Sequence, residues 1–176
     1  MEFMNVPSSR RPKSFRVIGG IAIVTAVAAL VLLYFMGVLT PRNRQEEVAA
    51  RGAQVMPFDL EETLHVFEKL DDGGLQKVTV KDLSNKEQIP LIQAHLEEEA
   101  EKFRWGDFSD PARIHSANMP GLAELKSAAG KIEVVYAPLP DGARIRYTTK
   151  DPALVIAIHQ WFDAQVSDHG RHASGH

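Results

Sequence analysis

The stretch TLHVFEKLDDGGLQKVTVKD (residues 63–82) decides the fold. Its two runs of alternating apolar and β-branched residues, Thr63 to Leu70 and Leu75 to Asp82, flank Asp71, Asp72, Gly73 and Gly74. Glycines there supply the positive φ of a tight turn, so the stretch predicts a β-hairpin. Downstream, KEQIPLIQAHLEEEAEKF (residues 86–103) sets Ile89, Ile92, Leu96, Ala100 and Phe103 three or four residues apart. That spacing predicts an amphipathic helix with Pro90 in its first turn. A second hairpin follows in KIEVVYAPL and ARIRYTTKD (residues 131–139 and 143–151), joined by Pro140, Asp141 and Gly142. Asp151 and Pro152 then open a last helix as cap and first residue, and Gly170 ends it.

The pattern is two ββα halves separated by a short irregular or helical stretch at residues 119–129. Leu64 and Val66 correspond in pattern to Ile132 and Val134 on the core side of the strands. The expected fold class is α+β: a two-layer ββα-ββα domain with one antiparallel sheet and two main helices on one face. The open face of that sheet is expected to carry His65, Phe67, Lys77, Thr79, Arg144 and Arg146.

Ahead of this domain, Val17 to Leu39 reads VIGGIAIVTAVAALVLLYFMGVL, 23 residues without a charge. At ~1.5 Å per residue such a helix spans about 34 Å, enough to cross a ~30 Å hydrocarbon core. Arg10, Arg11, Lys13 and Arg16 precede it, whereas Arg42 and Arg44 after it are offset by Glu46 and Glu47. The positive flank places the N-terminus in the cytoplasm and the domain outside. The expected organisation is a basic cytoplasmic tail (1–16), a single transmembrane anchor (17–39), a polar stalk (40–55), an extracytoplasmic α+β domain (56–169) and a mobile tail (170–176).

The chain has a net charge of −3 with its basic cluster ahead of the anchor, so the remainder is acidic and nucleic acid is discounted as a partner. With no cysteine, disulfides, thiolate nucleophiles and iron–sulfur clusters are excluded. There is no GxSxG, HExxH, GxxxxGK[ST] or GxGxxG. Glu97, Glu98, Glu99 and Glu101 read as a solvated helix face. Asp168 beside His169, and Asp163 near His159, are the nearest approaches to an acid–base pair.

Seven histidines invite a haem or transition-metal reading, because imidazole suits zinc, copper and haem iron. The candidate ligands are His169, His159, His115 and Met119. His169 and His159 stand before His95 because they lie near Trp161 and Phe162, while His95 leads into the glutamate run. Ten residues apart on one helix, His159 and His169 are ~15 Å distant. One of them therefore needs a partner from elsewhere, and the His-x3-Met pair of His115 and Met119 supplies it.

The segments VMPFDL, HVFEKLDDGGLQKVTVKD, IQAHL, GDFSDPARIHSANMPGL and HQWFDAQVSDHG, spread over about Arg51 to His172, resemble a family of small exported or membrane-anchored bacterial proteins. That family often carries the label aspartate carbamoyltransferase. The resemblance implies an exported domain at the bacterial inner membrane and no site residues. The label implies two α/β domains, a Ser-Thr-Arg-Thr phosphate loop and a His-Pro-x-Gln element, none of which is in the sequence.

The expected function is a non-enzymatic binding or accessory domain on the outer face of a bacterial inner membrane, with a membrane or periplasmic protein as partner. The alternative is a haem, copper or zinc protein using the outer histidines, and third comes an enzyme of unknown class. Reporter fusions after His176 test the topology: a periplasm-active reporter is expected to work and a cytoplasm-active one to stay silent. The reverse outcome overturns the orientation and the compartment together.

Overall fold

The structure is a computed structural model and describes residues 27, 28, 31, 32, 34 and 41–176, with 41–43 by backbone alone. The chain divides into two compact units, Met1–Asn43 and Arg44–His176. The expected span 17–39 lies outside the described residues except at five positions, all helical. Among the described residues no helix is long and apolar enough to cross a membrane.

The elements run α1 (Pro41–Gly52), β1 (Thr63–Leu70), β2 (Gly73–Val80), α2 (Gln88–Arg104), α3 (Ser109–His115), α4 (Leu122–Lys126), β3 (Glu133–Leu139), β4 (Gly142–Thr148) and α5 (Pro152–His169). A single 3₁₀ turn (Gly170–His172) then leads into β5 (Ala173–Gly175). One five-stranded sheet has the order β3-β4-β2-β1-β5. Both expected hairpins form, and they join where β2 pairs antiparallel with β4. The fold is α+β as expected.

Helices α2 and α5 share one face of the sheet. Tyr147 of β4 meets Phe103 of α2 at 6.3 Å between ring centroids and Trp161 of α5 at 5.7 Å, so both helices pack on the same side. The α2 stripe buries Ile92, Leu96, Ala100 and Phe103 as its spacing requires. Helix α5 starts as predicted: the Asp151 side chain accepts a hydrogen bond from the Ala153 amide at 2.9 Å with Pro152 in the first turn.

Three expectations are corrected. First, β1 sits one residue out of the expected phase: Thr63, His65 and Phe67 are buried, while Leu64 and Val66 face outward and are half-buried. His65 and Phe67 therefore do not lie on the open face. Apolar residues occur at both phases of this strand, and the large Phe67 ring, 5.1 Å from Phe162, takes the core. Gly74 clears the space, since a Cβ there would run into the Phe162 ring.

Second, residues 170–176 are not a loose tail. His65, Val66 and Phe67 pair in parallel with Ala173, Ser174 and Gly175, and the His176 amide donates to the Phe67 carbonyl at 3.1 Å. Backbone donors on the free edge of β1 are thereby satisfied.

Third, the expected stalk, helical over Pro41–Gly52 as one of its two expected forms, belongs from Arg44 on to the folded unit, which begins there rather than near Met56. Val48 is fully buried, Arg44 reaches Asp168, and Arg51 Nε donates to the Ile114 carbonyl at 2.6 Å. The low apolar content of this helix hid a single deep anchor.

The first hairpin turns on Asp71 and Asp72, leaving Gly73 in β2 with φ of 147°. A Cβ on Gly73 would collide with the Tyr147 carbonyl oxygen of the neighbouring strand. Gly73→Ala is therefore expected to remove about 3 kcal/mol of stability or more, combining strain with a backbone clash. Gly130→Ala, at φ of 75° but facing open space, is expected to lose only about 1 kcal/mol. Urea denaturation of the two variants measures the difference, and equal losses would contradict the packing described for β2.

Candidate functional site

The corrected strand phase turns His65 into the core, and two helices meet it there with polar residues at four-residue spacing. Helix α5 presents Trp161, Gln165 and His169 along one stripe, and α2 presents His95 and Glu99. His115, the last residue of α3, closes the group. Together with Met56, Phe58, Phe67 and Phe103 these side chains line a cavity of about 40 Å³ between the sheet and the helices.

The histidines form a stack. The His65 and His169 rings lie nearly parallel, 12° apart at 4.8 Å, and His115 meets His169 edge-on at 4.8 Å and 76°. Phe58 wedges between His65 at 5.9 Å and His95 at 5.6 Å.

His115 is oriented from behind. Its Nδ1 lies 3.0 Å from Asp168 Oδ2, and a carboxylate accepts only, so Nδ1 carries the proton and Nε2 is left as an acceptor. Arg44 holds Asp168 from the other side, with Nε and Nη2 donating to the two carboxylate oxygens at 2.9 and 2.6 Å. Arg44 Nη2 also donates to the His115 carbonyl at 2.5 Å.

Burial keeps the imidazoles uncharged. Desolvation drives the pKa of His65 down to about 3, and the neighbouring histidines add to the effect. It drives His169 well below its ordinary value in the same way. In His115 desolvation again dominates, against a smaller opposing effect from Asp168, and His95 is lowered by the same cause. Glu99 moves the other way: only 5% exposed, it is raised to about 8, first by desolvation and then by hydrogen bonding to Asp110. Lys102 Nζ bridges Glu99 Oε1 at 3.1 Å and Asp110 Oδ2 at 2.7 Å. Glu99 is thus not part of a solvated acidic face, as the glutamate run suggested.

Two buried nitrogens on the cavity wall, Trp161 Nε1 and His65 Nδ1, have no hydrogen-bond partner among the described residues. Buried polar atoms are seldom left so, which marks the cavity as a place for something to bind.

Of the candidate ligands, the structure brings His115 and His169 together and separates the other two. His159 lies outside the cavity, its Nε2 donating to the carbonyls of Leu70 at 3.0 Å and Gly73 at 2.9 Å. Met119 is buried in the apolar core. His65 and His95 take their places, against the expectation that His95 points into a solvated face. Phase ambiguity in β1 concealed His65, and the glutamate run concealed His95.

A cavity of about 40 Å³ is far below the several hundred Å³ of cofactor pockets, so a haem macrocycle does not fit this packing. Among the described residues no three of His, Asp and Glu are arranged to hold one metal ion. Parallel stacking of His65 on His169 explains part of this, because stacked rings do not converge their nitrogens on one point. The arrangement is suited to donating and accepting hydrogen bonds without charge.

Stability should peak at about pH 7. For His65, His95, His115, His169 and His172 the folded pKa lies below the unfolded value of 6.5, so below that pH the unfolded chain binds more protons and stability falls. Glu99 acts oppositely. Its folded pKa of about 8 exceeds the unfolded 4.5, so its contribution is full below 4.5 and is lost as pH rises towards 8. At pH 6.5 each unfolded imidazole is still half protonated, so the imidazoles outweigh the one carboxyl until about pH 7, and well above that Glu99 acts alone among them. Each group changes the slope by up to ~1.4 kcal/mol per pH unit. Denaturation at about pH 5, 7 and 9 should show both limbs, with Glu99→Gln flattening the alkaline one.

No family model, curated protein or solved structure matches the chain, so the cavity is read from its own chemistry.

Proposed function

We propose that this chain is a non-enzymatic binding or accessory domain, anchored in a bacterial inner membrane through residues 17–39, that presents its folded unit outside the cytoplasm. The observation that carries the binding reading is the cavity where histidines from four elements meet beside two unpartnered nitrogens. The uncharged 23-residue stretch and its basic flank support the anchor. The resemblance to small exported bacterial proteins is part of the same proposal, and carbamoyltransferase activity is not.

The protein partner, a membrane or periplasmic protein, would meet the open face of the sheet. There Arg144 and Arg146 stand beside the half-buried Leu75 and the exposed Val135. This face is polar and apolar by turns, as sheet faces that receive partners are.

A zinc or copper site is the second reading, favoured by the approach of His115 and His169 within one cavity. It requires a third donor to swing in, and His65 is the nearest.

Thermal denaturation of the chain against a panel of small polar compounds, and against zinc and copper(I), separates the two readings. The binding reading expects at least one compound to raise Tm by about 3 °C or more, and His169→Phe, which fills the cavity, to abolish that rise. A rise given only by metals, and lost in His115→Ala, would promote the metal site. No rise with any of them would remove the cavity as a ligand site.

A further inference from the structure

We propose that the histidine cavity binds a small uncharged amide or alcohol that enters past Phe58. This rests on reading the cavity as a ligand site and names the class of its ligand.

The two unpartnered nitrogens are complementary. The Trp161 indole N–H only donates, and the residue is fully buried. In His65, 3% exposed, the ring's hydrogen bond to the His172 backbone leaves Nδ1 as the unpartnered nitrogen, an acceptor in the neutral ring. An amide or hydroxyl group carries the complement of each, an oxygen to accept from Trp161 and an N–H or O–H to donate to His65. Gln76 adds a second donor: its Oε1 accepts from the Tyr147 hydroxyl at 2.8 Å, which leaves its amide NH₂.

Charge is excluded from both directions. No lysine or arginine stands among the described residues lining the cavity, so an anion finds no counter-charge. Its two acidic residues, Glu99 and Asp110, are already met by the Lys102 ammonium, so a cation finds no free carboxylate. A free volume of about 40 Å³ limits the bound group to a few heavy atoms.

Entry is by one side chain. Met56 and Phe58 line the inner cavity and also a surface groove formed with Ala49, Ala53, Glu61 and His172. The Phe58 ring stands between His65 and His95 and borders both spaces, and turning it outward is the proposed route between them.

The chain has two tryptophans, and Trp105 is 75% exposed. Full-length protein in mild detergent, labelled with ¹⁵N at the indoles, thus gives two signals, assigned with Trp105→Phe. Titration with formamide, acetamide and ethanol is expected to move the Trp161 signal saturably and leave Trp105 in place. Formate and methylammonium are expected to move neither. His65→Phe should weaken formamide binding roughly tenfold by removing the acceptor. His65→Asn, which keeps an oxygen near Nδ1, should stay within about threefold, and so separates loss of the acceptor from loss of the fold. Phe58→Leu should speed exchange between free and bound forms.

Saturable shifts with formate or methylammonium would overturn the ligand class while leaving the ligand site. Unchanged exchange in Phe58→Leu would overturn the entry route. Shifts that never saturate with any probe would mean the cavity holds solvent only, and would overturn this proposal together with the reading beneath it.

Discussion

The fold turns on the burial of one indole. Trp161 is fully buried and stands nearly perpendicular to Phe103, Phe108 and Tyr147, at 87°, 89° and 86°, with Phe162 beside it on the same helix. Each edge-to-face pair adds about 0.5–1.5 kcal/mol beyond the area it buries. These rings come from α2, the start of α3, and β4, so a single side chain of α5 fastens both ββα halves to one another. The same packing leaves the buried indole N–H without a partner, on a side chain that lines the cavity. The site is in this sense a by-product of the core: the ring that closes the apolar interior also delivers an unpaired donor to its polar corner.

A polar corner inside so apolar a core is tolerable because its imidazoles are neutral. A buried ion costs far more than a buried neutral ring, and in such cases the group gives up its charge instead. The charges that remain are kept at the rim and paired there, Asp168 with Arg44 and Asp110 with Lys102. Asp168 then does a second task by fixing the tautomer of His115. Neutral histidines need one donor and one acceptor interaction each, and the stack of His65 on His169 supplies neither. That deficit, more than the number of histidines, is what distinguishes the cavity from ordinary core.

How much of this was legible follows from the kind of signal each element sends. The hairpins, α2 and α5 declare themselves through turn residues, a 3.6-residue period and an Asp-Pro start, which are local. The phase of β1 is not local: Leu64, Val66 and Phe67 offer apolar residues to both faces, and only the fit of Phe67 against Phe162 and Gly74 chooses between them. With that choice went His65, the central residue of the site. Strand β5 has the composition of a mobile tail, Ala-Ser-Gly, and is ordered by a backbone edge that no side chain announces. Helix α1 is polar along most of its length and is held by Val48 and two arginines whose partners lie more than 60 residues away. Long-range acceptors of this sort leave no periodicity to read.

The wall of the cavity is accordingly of two kinds. On one side stand Trp161, Phe67 and Phe103, locked in the aromatic core. On the other runs one continuous segment from Arg44 to Leu60, which carries both the Arg44 clamp on Asp168 and the Phe58 plug. It is held by the buried side chains of Val48, Met56, Phe58 and Leu60 and by polar contacts, of which the ion pair of Arg44, 44% exposed, is screened and worth about 1 kcal/mol. Arg44 and Arg51 also cap the carbonyls of His115 and Ile114 at the end of α3, groups that would otherwise lack partners. The aromatic wall therefore sets the positions of the hydrogen-bonding groups, while the segment that carries Phe58 borders the surface groove.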